Sequence, residues 1–98
     1  MRDFAVTAEA RGDLTDIWHY TARRWEEEQA DRYIERIVTI CGDLADGTKH
    51  GREMNVLRTG YFMYPVGSDM LFYRFTPDGL ELVRVLHKRM DVTRHLPD

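Results

Sequence analysis

The sequence predicts an α+β fold: an N-terminal strand, an antiparallel helical hairpin, then a four-strand antiparallel meander with the helices on one face of the sheet. Three observations predict it. Apolar residues recur at steps of three and four through residues 8–46, the pattern changes to short strand-like runs after Gly47, and turn-forming residues punctuate those runs. The punctuation is Thr59-Gly60, Gly67-Ser68-Asp69 and Thr76-Pro77-Asp78-Gly79.

Phe4 and Val6 alternate with Asp3 and Ala5, the period of a short strand with one buried face. Thr7 can cap the helix that follows. Between residues 8 and 25, Ala10, Leu14, Ile17, Trp18, Thr21 and Trp25 form one stripe, and the opposite side is charged. A second helix is expected over 27–46, on the spacing of Ala30, Tyr33, Ile34, Ile37, Val38, Cys41, Leu44 and Ala45. Glu26, Glu27, Glu28 and Asp31 suit the positive end of its dipole, and Gly47 can end it. So short a link makes the two helices an antiparallel hairpin whose stripes need a sheet to cover them.

The polar stretch from Gly47 to Met54, with Lys49, His50 and Arg52, reads as irregular. Strands are expected over 55–59, 61–66, 70–75 and 80–87. Pro65 cannot donate a ladder hydrogen bond, so its strand bulges there or frays toward an edge. Tyr61, Phe62, Tyr64, Phe72, Tyr73 and Phe75 put aromatics on both faces of the sheet. One set packs under the helices. The other leaves an apolar patch for a partner, or forms a two-sided core within a homodimer.

Ninety-eight residues can build one core but not two, so a single domain over 1–98 is expected. With 43% hydrophobic and 32% charged residues, the composition is neither that of a disordered chain nor that of a membrane-spanning one. The start lacks the apolar segment and small-residue cleavage site of a secretory signal, and a cytoplasmic location is expected. The single Cys41 lies in an apolar helical stripe and reads as a core thiol. His19, His50, His87 and His95 show no ligand spacing, and neither a Gly-rich phosphate loop nor a nucleophile elbow is present. No metal or cofactor is expected.

The net charge of −3 hides an asymmetry. Up to Thr48 the chain carries six Lys and Arg against eleven Asp and Glu; after it, eight against six. Broad nucleic-acid binding needs many phosphate contacts, which this balance opposes, and no direct sequence-specific nucleic-acid binding is expected. Positive charge gathers locally in Arg84, Lys88, Arg89 and Arg94, with His87 and His95 among them.

Three segments together resemble one family. Asp13-Leu14-Thr15-Asp16-Ile17-Trp18-His19-Tyr20 is similar to the D-L-x-x-I-x-x-Y pattern of ParE toxins, and Gln29-Ala30-Asp31-Arg32-Tyr33 to their Q-A-x-x-Y. Val83-Arg84-Val85-Leu86-His87-Lys88-Arg89-Met90-Asp91 resembles the terminal R-[IV]-L-H-x-R-M-D, the most specific of the three, and Tyr73-Arg74-Phe75 fits the preceding strand. The resemblance spans nearly the whole chain in order. It implies the toxin half of a type II toxin–antitoxin pair of the RelE/ParE superfamily, active in plasmid stabilization. It also implies inhibition of DNA gyrase with arrest on cleaved DNA, and neutralisation by a ParD-like antitoxin in a toxin–antitoxin hetero-oligomer. The related RelE branch offers the alternative of a ribosome-dependent mRNA endonuclease, and a third reading is an inactive toxin that only binds antitoxin.

For a binding-type toxin the expected target surface is His87, Lys88, Arg89, Met90, Asp91 and Arg94, where charge and exposure coincide. For an endonuclease, Arg84 would stabilise phosphate charge and His87 would move the proton. Met90 and Asp91 weaken that alternative, because Asp91 would repel a scissile phosphate. Arg84 has a purely structural reading too, as an ion pair beneath the helices with Asp13 or Asp16, and His87 could simply bond at the strand end. Antitoxin contacts are expected at Trp18 on the hairpin, at Phe62, Tyr64 and Tyr73 on the sheet, and at Arg58 and Arg74, which would meet acidic residues.

Overall fold

Thr7 makes the first turn of the fold. In the computed structural model, which describes residues 3–54 and 59–96, it closes strand β1 (Phe4–Val6) and caps helix α1 (Ala8–Arg24). Its side-chain oxygen accepts from the Ala10 N–H at 3.1 Å, and its hydroxyl donates to the Val83 carbonyl at 2.7 Å. One residue thereby satisfies an orphan helix donor and ties the helix to the far end of the chain. Arg23 and Arg24 occupy the last turn of α1, where the dipole favours cations.

Helix α2 (Glu27–Asp46) follows at once and ends at Gly47, whose φ of 85° is the left-handed conformation a helix terminus favours. It buries Ala30, Ile37, Ile40, Cys41, Leu44 and Ala45. Two expectations about the stripes need correction. Val38 is 47% exposed while Ile40 is buried, because the buried face centres on Ile37, Cys41 and Leu44. Trp25 is 62% exposed: it stands at the C-cap of α1, with φ −121° and ψ −85°, so the helical spacing no longer aims it inward.

The sheet has the order β1-β5-β4-β3-β2, built from β2 (Arg52–Glu53), β3 (Phe62–Val66), β4 (Asp69–Thr76) and β5 (Gly79–His87). β3, β4 and β5 form the antiparallel meander, while β1 joins its far side in parallel, with Phe4 opposite Leu80 and Val6 opposite Leu82. The helical hairpin therefore carries the chain from β1 at one edge of the sheet to β2 at the other, and the sheet is mixed. β2 lies inside the stretch read as irregular. It pairs Arg52 with Met63 and Glu53 with Phe62, and both of its residues are exposed, so no apolar alternation announces it. Of the strand expected over 55–59, residues 55–58 lie outside the described residues and Thr59 is in a turn. β2 stops opposite Met63, so Pro65 sits on the free side of β3 where no N–H is required.

The irregularity in the sheet is on β5 rather than at Pro65. Tyr73 faces Leu82 and Phe72 faces Arg84, leaving Val83 as an extra residue. That bulge shifts the alternation: Leu80, Leu82 and Val85 join the core beneath the helices, whereas Val83 and Leu86 join a second cluster. The second cluster, with Met54, Tyr61, Phe72 and Leu96, corrects the expectation of a bare apolar face. Phe72 is fully buried, covered by Met54 and by the short helix α3 (Val92–His95) with Leu96. Among the described residues no helix is long and apolar enough to cross a membrane.

Candidate functional site

β1 ends opposite Leu82, and farther along β5 Asp13 of α1 takes the place of a strand neighbour. Its Oδ2 accepts the Val85 N–H at 2.9 Å and the Arg84 Nε–H at 2.7 Å, while Oδ1 accepts from Arg84 Nη2 at 2.8 Å. Arg84 Nη1 donates to the His95 carbonyl at 2.9 Å. The two side chains are 13% and 19% exposed, and the Asp13 carboxylate holds the guanidinium charged to a higher pH than usual. Asp13 is thus the partner of Arg84 rather than Asp16, and the guanidinium is held between α1 and the C-terminal segment.

Beyond Arg84, β5 runs out into a fixed turn. Lys88 N–H donates to the Ser68 carbonyl at 3.0 Å, Met90 N–H to the His87 carbonyl at 3.0 Å, and Arg89 N–H to His87 Nδ1 at 3.2 Å. His87, Lys88, Arg89, Met90 and Asp91 are all exposed, and so is Arg94, which pairs with Asp91 at 3.7 Å on the surface. Of the two residues named for the endonuclease alternative, His87 therefore faces solvent and Arg84 is committed to Asp13.

This turn forms one wall of a groove of about 1410 Å³. The second wall is the side of α1, with Asp16, Ile17, Tyr20, Thr21 and Arg24, and the third is α2, with Gln29, Arg32, Tyr33 and Arg36. Tyr20 is 59% exposed, Trp25 62% and Met90 38%, so three large apolar side chains stand open to one groove. Six Lys and Arg line it against three Asp, the reverse of the whole chain's balance. Arg32 is paired with Glu28 at 2.8 Å, whereas Arg24, Arg36, Lys88 and Arg89 have no ion pair among the described residues. Arg24 instead stands over the Trp25 ring at 5.7 Å.

The polar groups at the floor are satisfied within the chain. Tyr33 Oη lies 2.6 Å from Asp69 Oδ2 and 2.8 Å from the Val66 carbonyl, its hydroxyl donating between them, and burial beside Asp69 raises its pKa. This clamps the β3–β4 turn onto α2. Gly67 in that turn has φ 55°, and a Cβ there would lie 3.0 Å from Tyr33 Oη, so glycine is needed for its backbone and for its lack of a side chain.

The residues expected to meet an antitoxin do not form one surface. Trp18 is half-buried on the hairpin, its indole N–H donating to Asp31 at 2.8 Å. Phe62 and Tyr64 pack against the helix-side core. Tyr73 is 2% exposed within that core, stacked on Phe62 at 5.5 Å, and its hydroxyl accepts the Gly51 N–H at 2.8 Å. Arg74 pairs with Glu81 at 2.8 Å and leans over Tyr61 at 5.7 Å, beside the other cluster. Arg58 lies outside the described residues. Sequence reasoning missed Tyr20, Trp25, Arg24 and Arg36 as one group. The available signal was a second, polar periodicity, with Ile17, Tyr20 and Arg24 on one helix and Gln29, Arg32 and Arg36 on the next.

Cys41 is 1% exposed and burial pushes its thiol up to about 12, the setting of an inert core thiol. Among the described residues, no three His, Cys, Asp or Glu side chains are grouped so as to hold a metal ion.

The family model described as ParE toxin of type II toxin-antitoxin system, parDE, matches residues 4–92. Toxin ParE1 of Mycobacterium tuberculosis is 37% identical over 94 residues, covering 95% of this chain and 96% of the relative. Toxin ParE1 of Caulobacter vibrioides is 34% identical over 96 residues, covering 98% and 99%, and Toxin ParE of Escherichia coli is 33% identical over 100 residues, covering 100% and 96%. A solved structure titled "Chromosomal ParDE TA system from P. aeruginosa" superposes with a TM-score of 0.73, covering 89% of this chain and 96% of that one at 18% identity, a likeness of fold.

Proposed function

The chain belongs to the ParE toxin family of type II toxin–antitoxin systems, and from that premise we propose that it arrests growth in the cytoplasm by binding DNA gyrase, held in check by a ParD-like antitoxin. The observation that carries a binding mechanism is the contrast between Arg84 and the turn after it. Arg84 spends three of its N–H donors on Asp13 and the His95 carbonyl, while Lys88, Arg89 and Met90 project from a turn whose backbone is bonded to itself and to Ser68. Pre-organised, exposed and without an ion pair among the described residues, those side chains can meet a partner directly. A nuclease built on Arg84 would have to break its bond to Asp13 before it could hold a phosphate.

The test is to express the chain alone and with its antitoxin, and to assay the purified toxin on gyrase supercoiling and on translated mRNA. Cleaved DNA or lost supercoiling, reversed by antitoxin, is the expected result. Lys88→Glu combined with Arg89→Glu should abolish it while leaving the far-ultraviolet circular dichroism unchanged. Intact gyrase activity beside codon-positioned mRNA cuts would move the chain to the endonuclease branch.

A further inference from the structure

We infer that His87 is a positioning residue of the target surface: its imidazole Nδ1 builds the turn that presents Lys88 and Arg89, and the ring itself does not touch the target. The presentation rests on the function proposed above; the building of the turn does not.

The segment after β5 lacks turn chemistry of its own. The β3–β4 and β4–β5 connections carry Gly67-Ser68 and Pro77-Asp78-Gly79, whereas His87-Lys88-Arg89-Met90 holds no glycine, proline, asparagine or aspartate. Its two central residues are long cations of like charge, which do not favour a bend. Yet the chain bends there. The Met90 N–H donates to the His87 carbonyl at 3.0 Å, closing a four-residue turn with His87 at its first position.

That first position favours Asp, Asn and Ser, because a short side-chain acceptor there reaches the N–H two residues on. The chain uses the same device elsewhere: Asp46 accepts the Thr48 N–H at 2.9 Å, and the Thr76 hydroxyl oxygen accepts the Asp78 N–H at 3.3 Å. At the end of β5 the acceptor is an imidazole, with Nδ1 taking the Arg89 N–H at 3.2 Å. An accepting Nδ1 leaves the ring proton on Nε2, so the ring that holds this turn is neutral. Opposite His87 on β4, the Asp69 carboxylate is engaged by the Tyr33 hydroxyl, and the imidazole is bonded to its own turn.

Two bonds then fix the two cations. The Ser68 carbonyl holds the Lys88 N–H at 3.0 Å, and Nδ1 holds the next N–H, that of Arg89. Without the second bond the Arg89 amide turns to water, the presented conformation becomes one of several, and affinity falls with the share of molecules that keep it.

Two substitutions separate the ring's nitrogens. His87→Asn sets an amide oxygen where Nδ1 stands and leaves the Nε2 position empty; His87→Gln reaches the Nε2 position and leaves Nδ1 without a replacement. Each folded variant, checked by far-ultraviolet circular dichroism, is measured in two ways: hydrogen exchange of the Arg89 amide by nuclear magnetic resonance, and the concentration that half-inhibits gyrase supercoiling. His87→Asn should keep the Arg89 amide protected and inhibit within about twofold of the unaltered chain. His87→Gln should speed that exchange and weaken inhibition by about three- to tenfold, the loss expected for one such hydrogen bond. Rescue by Gln and not by Asn would overturn the inference in favour of a target contact through Nε2. Equal loss in both variants with the amide still protected in His87→Asn, or no loss in either, would overturn it as well. If the unaltered chain never inhibits gyrase, the functional proposal falls, and exchange at Arg89 still decides the turn: equal rates in all three proteins would overturn the role of Nδ1.

Discussion

Arg84 on the last strand and Asp13 on the first helix, 71 residues apart, meet through two parallel charged hydrogen bonds of 2.7 and 2.8 Å. The carboxylate also takes the Val85 N–H, so one acid replaces the strand neighbour that β5 lacks beyond β1 and neutralises the cation that reaches α3. Removing it leaves three unmet donors and a poorly hydrated charge at once. Asp13→Ala should therefore cost about 2–4 kcal/mol, near the lower part of the range for breaking a buried pair because both side chains keep some access to water. For a domain of this size that lowers Tm by more than about 8 °C. Pairing Asp13→Ala with Arg84→Met should recover part of the loss, since no charge is then stranded. Urea unfolding of the two single variants and the double variant checks this, and a strictly additive result would contradict the coupling.

A second expectation concerns alkaline pH. Burial raises the pKa of Cys41 from 9.0 to about 12, and raises those of Tyr33 and Tyr73 above their usual 10.0; Tyr33 also feels the Asp69 carboxylate. The folded chain keeps these protons over a range in which the unfolded chain releases them. Stability is therefore whole below pH 9 and falls as pH rises past 9 to 10, without any change in the neutral range. Tyr33→Phe removes one contribution, so its stability should fall less steeply on going to about pH 11, although it begins about 1 kcal/mol lower from the lost hydroxyl bonds. Unfolding free energies of both proteins at about pH 7 and about pH 11 compare the slopes; parallel loss would rule Tyr33 out as a source.

How far the fold was legible follows from which interactions are local. The hairpin and the meander announce themselves through spacing and turn chemistry, because helix stripes and tight turns are written in adjacent residues. The parallel pairing of β1 with β5 is a contact across most of the chain, and no local pattern encodes it. β2 is two exposed residues with no period to read, and the bulge at Val83 appears in the sequence only as an apolar doublet, Leu82-Val83, followed by another, Val85-Leu86. For the site, the basic turn was visible as charge, and the Arg84 ion pair was one of two readings of that residue. The groove was not visible, because Arg24 and Arg36 resemble any solvated helix face until β5 is placed beside them.

The misread stripe of α2 gives a direct comparison of neighbours. Ile37 is fully buried at the centre of the core and Val38, one residue later, is 47% exposed. Ile37→Ala should cost about 2–5 kcal/mol, since it leaves a cavity between helix and sheet. Val38→Ala should stay within about 0.5 kcal/mol, as the better helix propensity of alanine offsets the little apolar area lost. Chemical denaturation of the two variants measures both, and comparable losses would mean that α2 is rotated from the orientation described.

Gly67 and Gly47 separate two reasons for a glycine. Both have positive φ, 55° and 85°, so alanine at either position costs about 1 kcal/mol through the backbone alone. Nothing lies within 4 Å of a Cβ at Gly47, whereas at Gly67 it would press on the Tyr33 hydroxyl at 3.0 Å and its ring at 3.2 Å. That hydroxyl cannot retreat without giving up Asp69 and Val66. Gly67→Ala should therefore be worse than Gly47→Ala by about 1 kcal/mol or more. It should also loosen the Ser68 carbonyl that anchors Lys88, weakening target binding at Lys88 and Arg89 while Gly47→Ala leaves it unchanged. Thermal unfolding together with gyrase inhibition distinguishes the cases: equal stability losses would remove the steric argument, and unequal losses with equal inhibition would show that the β3–β4 turn does not position the turn after β5.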